Sequence, residues 1–233
     1  MTYILKRWII DNIDHEFTNL TQSLLNNPSK KVLILDLDNT VFPVRSIGDE
    51  LFRSVYQLII ENGEYKGDFN HIRLEIMRRP LLLVAKDFSF SERLTNECLA
   101  LFEDMTYSKQ IETFKDYPEI RKYPCKKYLV TTGFPKLQNS KIKQLGIEND
   151  FEGIYIVDPV NSNLTKKDIF QQIINDNSYP IKDVLVVGDD LNSEIKAGQE
   201  LGIETILYDY RHEHATTEKL KVITDFKELG IYF

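Results

Sequence analysis

The sequence predicts an α/β protein: a parallel sheet with helices on both faces and a helical insertion in its first half. Two observations predict it. Through the C-terminal half, short runs of Val, Ile and Leu at 128–132, 154–157, 184–188 and 204–208 alternate with amphipathic stretches at 136–145, 166–176 and 192–201. Brief apolar runs separated by helices read as strands buried on both faces. A similar run at 32–37 stands far upstream, and the long segment that follows it holds helical spacing but no buried strand.

Taken in order, residues 1–30 read as a helical leader that ends at Asn27-Pro28-Ser29, with Trp8 as a packing anchor. The first strand follows at 32–37. Helical stretches near 48–62, 69–79 and 91–105 come next. They span more chain than a simple crossover uses. The expected division is therefore a core of residues 1–44 and 116–233, with an inserted helical unit over 45–115.

Composition bounds the function. The chain has 233 residues, 42% of them hydrophobic and 28% charged, which is ordinary for a soluble globular protein. A formal net charge of −7 argues against a nucleic-acid partner. Cys98 and Cys125 form neither a disulfide framework nor a zinc spacing, and they suit a reducing compartment. No stretch has the length and apolarity of a membrane span, and the start of the chain lacks the pattern of a signal peptide. A cytoplasmic protein is expected.

The chemistry-bearing residues sit where strands end. Asp36 and Asp38 close the first strand, two residues apart and so on one side of it. Two adjacent carboxylates repel unless they share a cation or a proton, and magnesium prefers oxygen ligands. A strand-end turn capped by Asp38 would use the same residues. Three further stretches bear on the choice. Thr131-Thr132-Gly133 ends a strand with hydroxyls and an open backbone. Lys166 and Lys167 stand at a helix start, where the dipole disfavours cations, although solvated lysines would look alike. Gly188-Asp189-Asp190 ends another strand, with Glu194 close behind. Capping of the next helix by Asp190 or Asn192 is the plainer use of that turn.

In this order and spacing the stretches "DLDNT", "TTG", "TKKD" and "GDDLNSE" resemble the four motifs of the haloacid dehalogenase superfamily of hydrolases. The resemblance covers about residues 31–210, and the insertion resembles the family's helical cap. It implies a Rossmann-like core and a magnesium-dependent aspartyl-phosphate mechanism. Asp36 would be the nucleophile and Asp38 the acid/base. Thr131 would bind a phosphoryl oxygen, and Lys166 would neutralise charge. Asp36, Asp189 and the Asp38 backbone carbonyl would hold magnesium, with Asp190 and Glu194 behind them. Thr132, Gly133 and Lys167 are the substrate-binding candidates.

Two features depart from the family pattern: the usual Lys-Pro pair is missing, so two lysines compete, and Glu194 replaces an Asp. The acid at position 38 favours phosphoester chemistry over dehalogenation. A small phosphorylated metabolite is the implied partner. A phosphomutase of the same fold, or a silent protein that binds a phosphorylated ligand, are the alternatives. Arg45, Arg53, Arg73, Arg78, Arg79 and Lys86 of the insertion could each meet an acidic substrate, whereas His212 and His214 read as a surface loop.

Overall fold

The computed structural model describes residues 30–218 and 220–233. The expected leader, with Trp8, lies outside the described residues apart from Lys30. Among the described residues six parallel strands form one sheet, in the order β3-β2-β1-β4-β5-β6. They are β1 (Val32–Leu35), β2 (Lys126–Thr132), β3 (Gly153–Val157), β4 (Val184–Gly188), β5 (Glu204–Tyr208) and β6 (Lys221–Ile223). Strand β1 is central, with Val32 beside Lys126 on one edge and Val184 on the other. All of β1 and β4 is buried, which is why both read as unbroken apolar runs. The first strand stops at Leu35, short of the expected 37. Edge strand β6 was not expected.

Between β1 and β2 lie α1 (Gly48–Leu51), α2 (Arg53–Asn62), α3 (Phe69–Ile76), α4 (Leu81–Asp87), α5 (Glu92–Asp104) and α6 (Pro118–Lys122). The helix expected over 48–62 is broken at Phe52, and that expected over 69–79 stops at Ile76. Their boundaries have local causes. Gly63, in the left-handed region at φ 67°, ends α2. The side chains of Asp68 and Ser91 accept the backbone N–H groups of His71 and Leu94, each at 3.0 Å, and so start α3 and α5.

The core adds α7 (Pro135–Leu145), α8 (Lys166–Asn177) and α9 (Lys196–Glu200). A capping box of Thr165 and Asp168 opens α8. The helix expected over 192–201 begins instead as a wider π-helical turn, Leu191–Ile195.

Alternation along the strands divides the core in two. Val32, Ile34, Val130 and Val186 pack with Ile169, Phe170 and Ile173 of α8. On the opposite face, Leu33, Leu35, Leu129 and Val187 pack with Leu137 and Ile142 of α7. This second cluster runs without a break into the insertion, through Val55, Ile59, Ile72, Val84, Leu94 and Phe102.

Candidate active site

Parallel order places the carboxyl ends of β1 and β4 side by side, and each delivers an aspartate. Asp36 follows β1 directly, with its N–H donating to the Val187 carbonyl at 3.1 Å. Asp189 follows β4. Lys166, the first residue of α8, turns inward and is buried. Its Nζ donates to Asp36 Oδ1 at 2.6 Å and to Glu194 Oε2 at 2.7 Å. The other Glu194 oxygen accepts the Asp190 backbone N–H at 2.7 Å. The π-helical turn folds Glu194 back over Gly188, where an added Cβ would overlap its carboxylate. Carboxylate oxygens of Asp36, Asp189 and Glu194 can all lie within 4.8 Å of one another.

Burial and crowding set the electrostatics. Burial pushes the Asp36 carboxyl up to about 7; Lys166 opposes the rise and Glu194 adds to it. Burial also lifts Asp189 well above the usual carboxylate range, helped by the charges of Glu194 and Asp36. Burial disfavours the Lys166 charge, but Asp36 and Glu194 outweigh it and hold Lys166 above the usual lysine range. Burial would raise Glu194 too, yet the Lys166 ammonium and the Asp190 N–H hold it low. Three carboxylates thus face one ammonium, with two negative charges in excess when all are ionised. A hard divalent cation with oxygen ligands matches both that charge and that donor set.

A second polar group adjoins the first. Thr131, near the end of β2, is buried, and its Oγ1 accepts from Gln138 Nε2 at 2.7 Å. Asp38 turns away from the acidic cluster. Lys141 Nζ donates to both of its carboxylate oxygens at 2.9 Å, and Gln138 Nε2 donates to Oδ2 at 3.1 Å. Between the two aspartates and the insertion stands Asn39, in the left-handed region at φ 61°. Its side chain accepts the Val44 N–H at 3.2 Å and donates to the Met77 carbonyl at 3.3 Å.

Asp36, Asp38, Thr131, Thr132, Gly133, Lys166, Asp189, Asp190 and Glu194 all line one cavity of about 600 Å³. Lys167 does not: it is partly exposed and pairs with Glu200 at 2.9 Å. Asp190 spends its side chain on the Asn192 N–H at 2.7 Å. Of the basic residues in the insertion, Arg78, Arg79 and Lys86 reach the cavity, joined by Arg211 and His214 from the far loop. Arg73 instead pairs with Asp49 at 2.5 Å. Phe52, Phe102, Phe134 and Leu137 supply an apolar wall.

Gln138 and Lys141 were missed in the sequence. They stand three residues apart on α7 and share a face. In "KLQNSKIKQ" they resemble any solvated helix surface, and only the aspartate far upstream explains their burial.

Comparison with known proteins agrees with this architecture. The sequence model of the haloacid dehalogenase-like hydrolases matches residues 30–202. A glyceraldehyde 3-phosphate phosphatase of Pyrococcus abyssi (strain GE5 / Orsay) is 22% identical over 200 residues, covering 77% of this chain and 82% of its own. Among solved structures, a putative phosphatase from Clostridium difficile superposes with a TM-score of 0.65 at 15% identity, over 88% of this chain and 99% of that one. A putative hydrolase from Bacillus subtilis, bound to magnesium, gives a TM-score of 0.55 at 17% identity, over 88% and 99% of the two chains. No helix among the described residues is long and apolar enough to cross a membrane. With the matched region spanning β1 to β4 and holding Asp36, Asp38, Thr131, Lys166, Asp189 and Glu194, the chain belongs to the haloacid dehalogenase-like hydrolases.

Proposed function

We propose that the protein is a magnesium-dependent phosphatase of small phosphate monoesters, working through an aspartyl-phosphate on Asp36. The observation that carries this reading is the gathering of the Asp36, Asp189 and Glu194 carboxylates at one point, with Lys166 paired to Asp36 and Glu194, beneath the cavity. An Asp36 oxygen attacks phosphorus as the ester P–O bond breaks, and Asp38 gives its proton to the departing oxygen. Asp38 then takes a proton from the water that displaces Asp36, and inorganic phosphate leaves. Splitting the hydrolysis in two lets each half use the same positioned groups. Lys166 offsets charge on the phosphoryl oxygens, and Thr131 donates to one of them. Thr132 and Gly133 border the same position.

Asp36, Asp189 and the Asp38 backbone carbonyl would hold magnesium, with Glu194 in reach. The bound ion would neutralise phosphoryl charge. Residues 45–115 act as the cap over a core of 1–44 and 116–233. The activity of the Pyrococcus relative supports a small phosphorylated metabolite as substrate. Two free cysteines suit a cytoplasmic setting.

The test is hydrolysis of an aryl phosphate, followed by a broad panel of phosphate monoesters. EDTA should abolish turnover and magnesium restore it. Activity that survives full chelation rules out the metal site. A panel with no substrate at all favours a silent protein that binds a phosphorylated ligand.

A further inference from the structure

We propose that Gln138 and Lys141 are positioning residues: Gln138 aims the Thr131 hydroxyl at the phosphoryl group, and Lys141 holds the Asp38 carboxylate in place. The inference rests on the phosphatase reading above. It begins with hydrogen-bond chemistry. An ammonium can only donate. Lys141 Nζ lies 2.7 Å from Gln138 Oε1, so the amide oxygen faces Lys141 and the amide nitrogen faces the other way. That nitrogen has two hydrogens, and it reaches Thr131 Oγ1 at 2.7 Å and Asp38 Oδ2 at 3.1 Å. Thr131 is thereby made an acceptor on its inner side. Its own hydrogen is left to point outward, into the cavity where a phosphoryl oxygen would sit.

Asp38 is fixed by the same pair of residues. Lys141 donates to both of its oxygens, and the Gln138 amide makes a third contact. The carboxylate cannot swing onto Asp36 without giving up these bonds. Gln138 is 1% exposed and Lys141 2% exposed, and the Phe42 ring lies 5.8 Å from the ammonium. Gly133 makes room for the arrangement, since a Cβ there would lie 2.8 Å from Gln138 Cδ. Apolar side chains would fill these two positions of α7 without the desolvation of a buried charge. The buried ammonium thus adds no stability that an apolar residue could not supply, which points to orientation as its use.

Two double-mutant cycles test this, with kcat and KM for an aryl phosphate as one readout. Calorimetric binding of inorganic phosphate in the presence of magnesium is the other. Gln138→Met should weaken phosphate binding and lower kcat, each by about tenfold, the worth of one hydrogen bond to a charged group. In a Thr131→Val background it should weaken phosphate binding no further. Gln138→Glu, which keeps the shape, loses the N–H donor and adds a negative charge beside Asp38, should weaken phosphate binding at least as much as Gln138→Met. Lys141→Met should lower kcat much more than it changes KM, and that loss should vanish in an Asp38→Asn background. Lys141→Arg, which keeps the donors, should recover part of it.

Losses that multiply independently in both cycles would overturn the proposal, as would variants that lose thermal stability while the folded fraction keeps full kcat. A wild-type protein that binds phosphate but turns over no ester defeats the phosphatase reading alone, and the binding cycle still decides for Gln138. Failure to bind phosphate at all overturns both.

Discussion

Lys166 and Lys167 are neighbours in sequence and opposites in circumstance. Adjacent helical residues face about 100° apart, so only one can look inward. Lys166 sits buried between Asp36 and Glu194, while Lys167 pairs with Glu200 at the surface. Lys166→Ala should lower kcat by about 10²–10³-fold, the scale for losing one preorganised donor to a phosphoryl oxygen. Lys167→Ala should stay within about twofold, as surface pairs contribute little. Steady-state kinetics of the two variants decides, and the reverse order would move the role to Lys167.

The aspartates divide differently. Asp36→Asn should leave no measurable turnover, whereas Asp38→Asn should retain the first step and lose about 10²–10⁴-fold in proton transfer. Acid quench and mass spectrometry of Asp38→Asn should find a phosphoryl adduct on Asp36, and an adduct on Asp38 would reverse the roles. Asp36, Asp38 and Asp189 were legible because strand ends in a parallel sheet are where such groups gather. Gln138 and Lys141 were not, because helical spacing says which residues share a face but never what that face meets.

At the scale of elements, the π-helical turn Leu191–Ile195 shows what local pattern leaves out. Its apolar spacing promised an ordinary helix over 192–201. The wide turn is dictated from outside the segment, by the bonds that Glu194 makes to Lys166 and to the Asp190 N–H. Gly188 permits it by having no side chain. Gly188→Ala should therefore displace Glu194 and release Lys166. Activity should fall at least as far as in Lys166→Ala, and a melting temperature lowered by several degrees should accompany it; unchanged kinetics would show that Glu194 has room to move. Five strands were legible from their apolar runs. Strand β6 has only three residues, Lys221–Ile223, one of them charged, which is too short to register as a run. Helix α4 hid for the opposite reason: "LLLVA" is apolar all round its start and shows no helical period.

Over the whole molecule, the acidic cluster should tie stability to pH and to metal. A carboxyl raised to about 7, as Asp36 is, holds its proton more tightly when folded than when unfolded. Its contribution is full below the unfolded value near 4 and is lost as pH rises through about 7. Asp189 shifts in the same direction. Glu194, held low, acts only below that window, where stability falls as pH falls. The metal-free protein should thus weaken from about pH 4 to pH 8, and magnesium should raise its melting temperature more at pH 8 than at pH 5.5, because protons compete for the same oxygens. Equal shifts at the two pH values would remove Asp36 and Asp189 from the ion's ligands.

The central position of β1 has a further consequence, for the growing chain. The middle of the sheet is synthesised before its neighbours, since Val32 waits for Lys126 on one side and Val184 on the other. Until the ribosome delivers them, four consecutive apolar residues stand with both hydrogen-bonding edges open, a state that invites pairing with other chains. A chain stopped before β4 should collect in the insoluble fraction, while the full-length chain made under the same conditions should not.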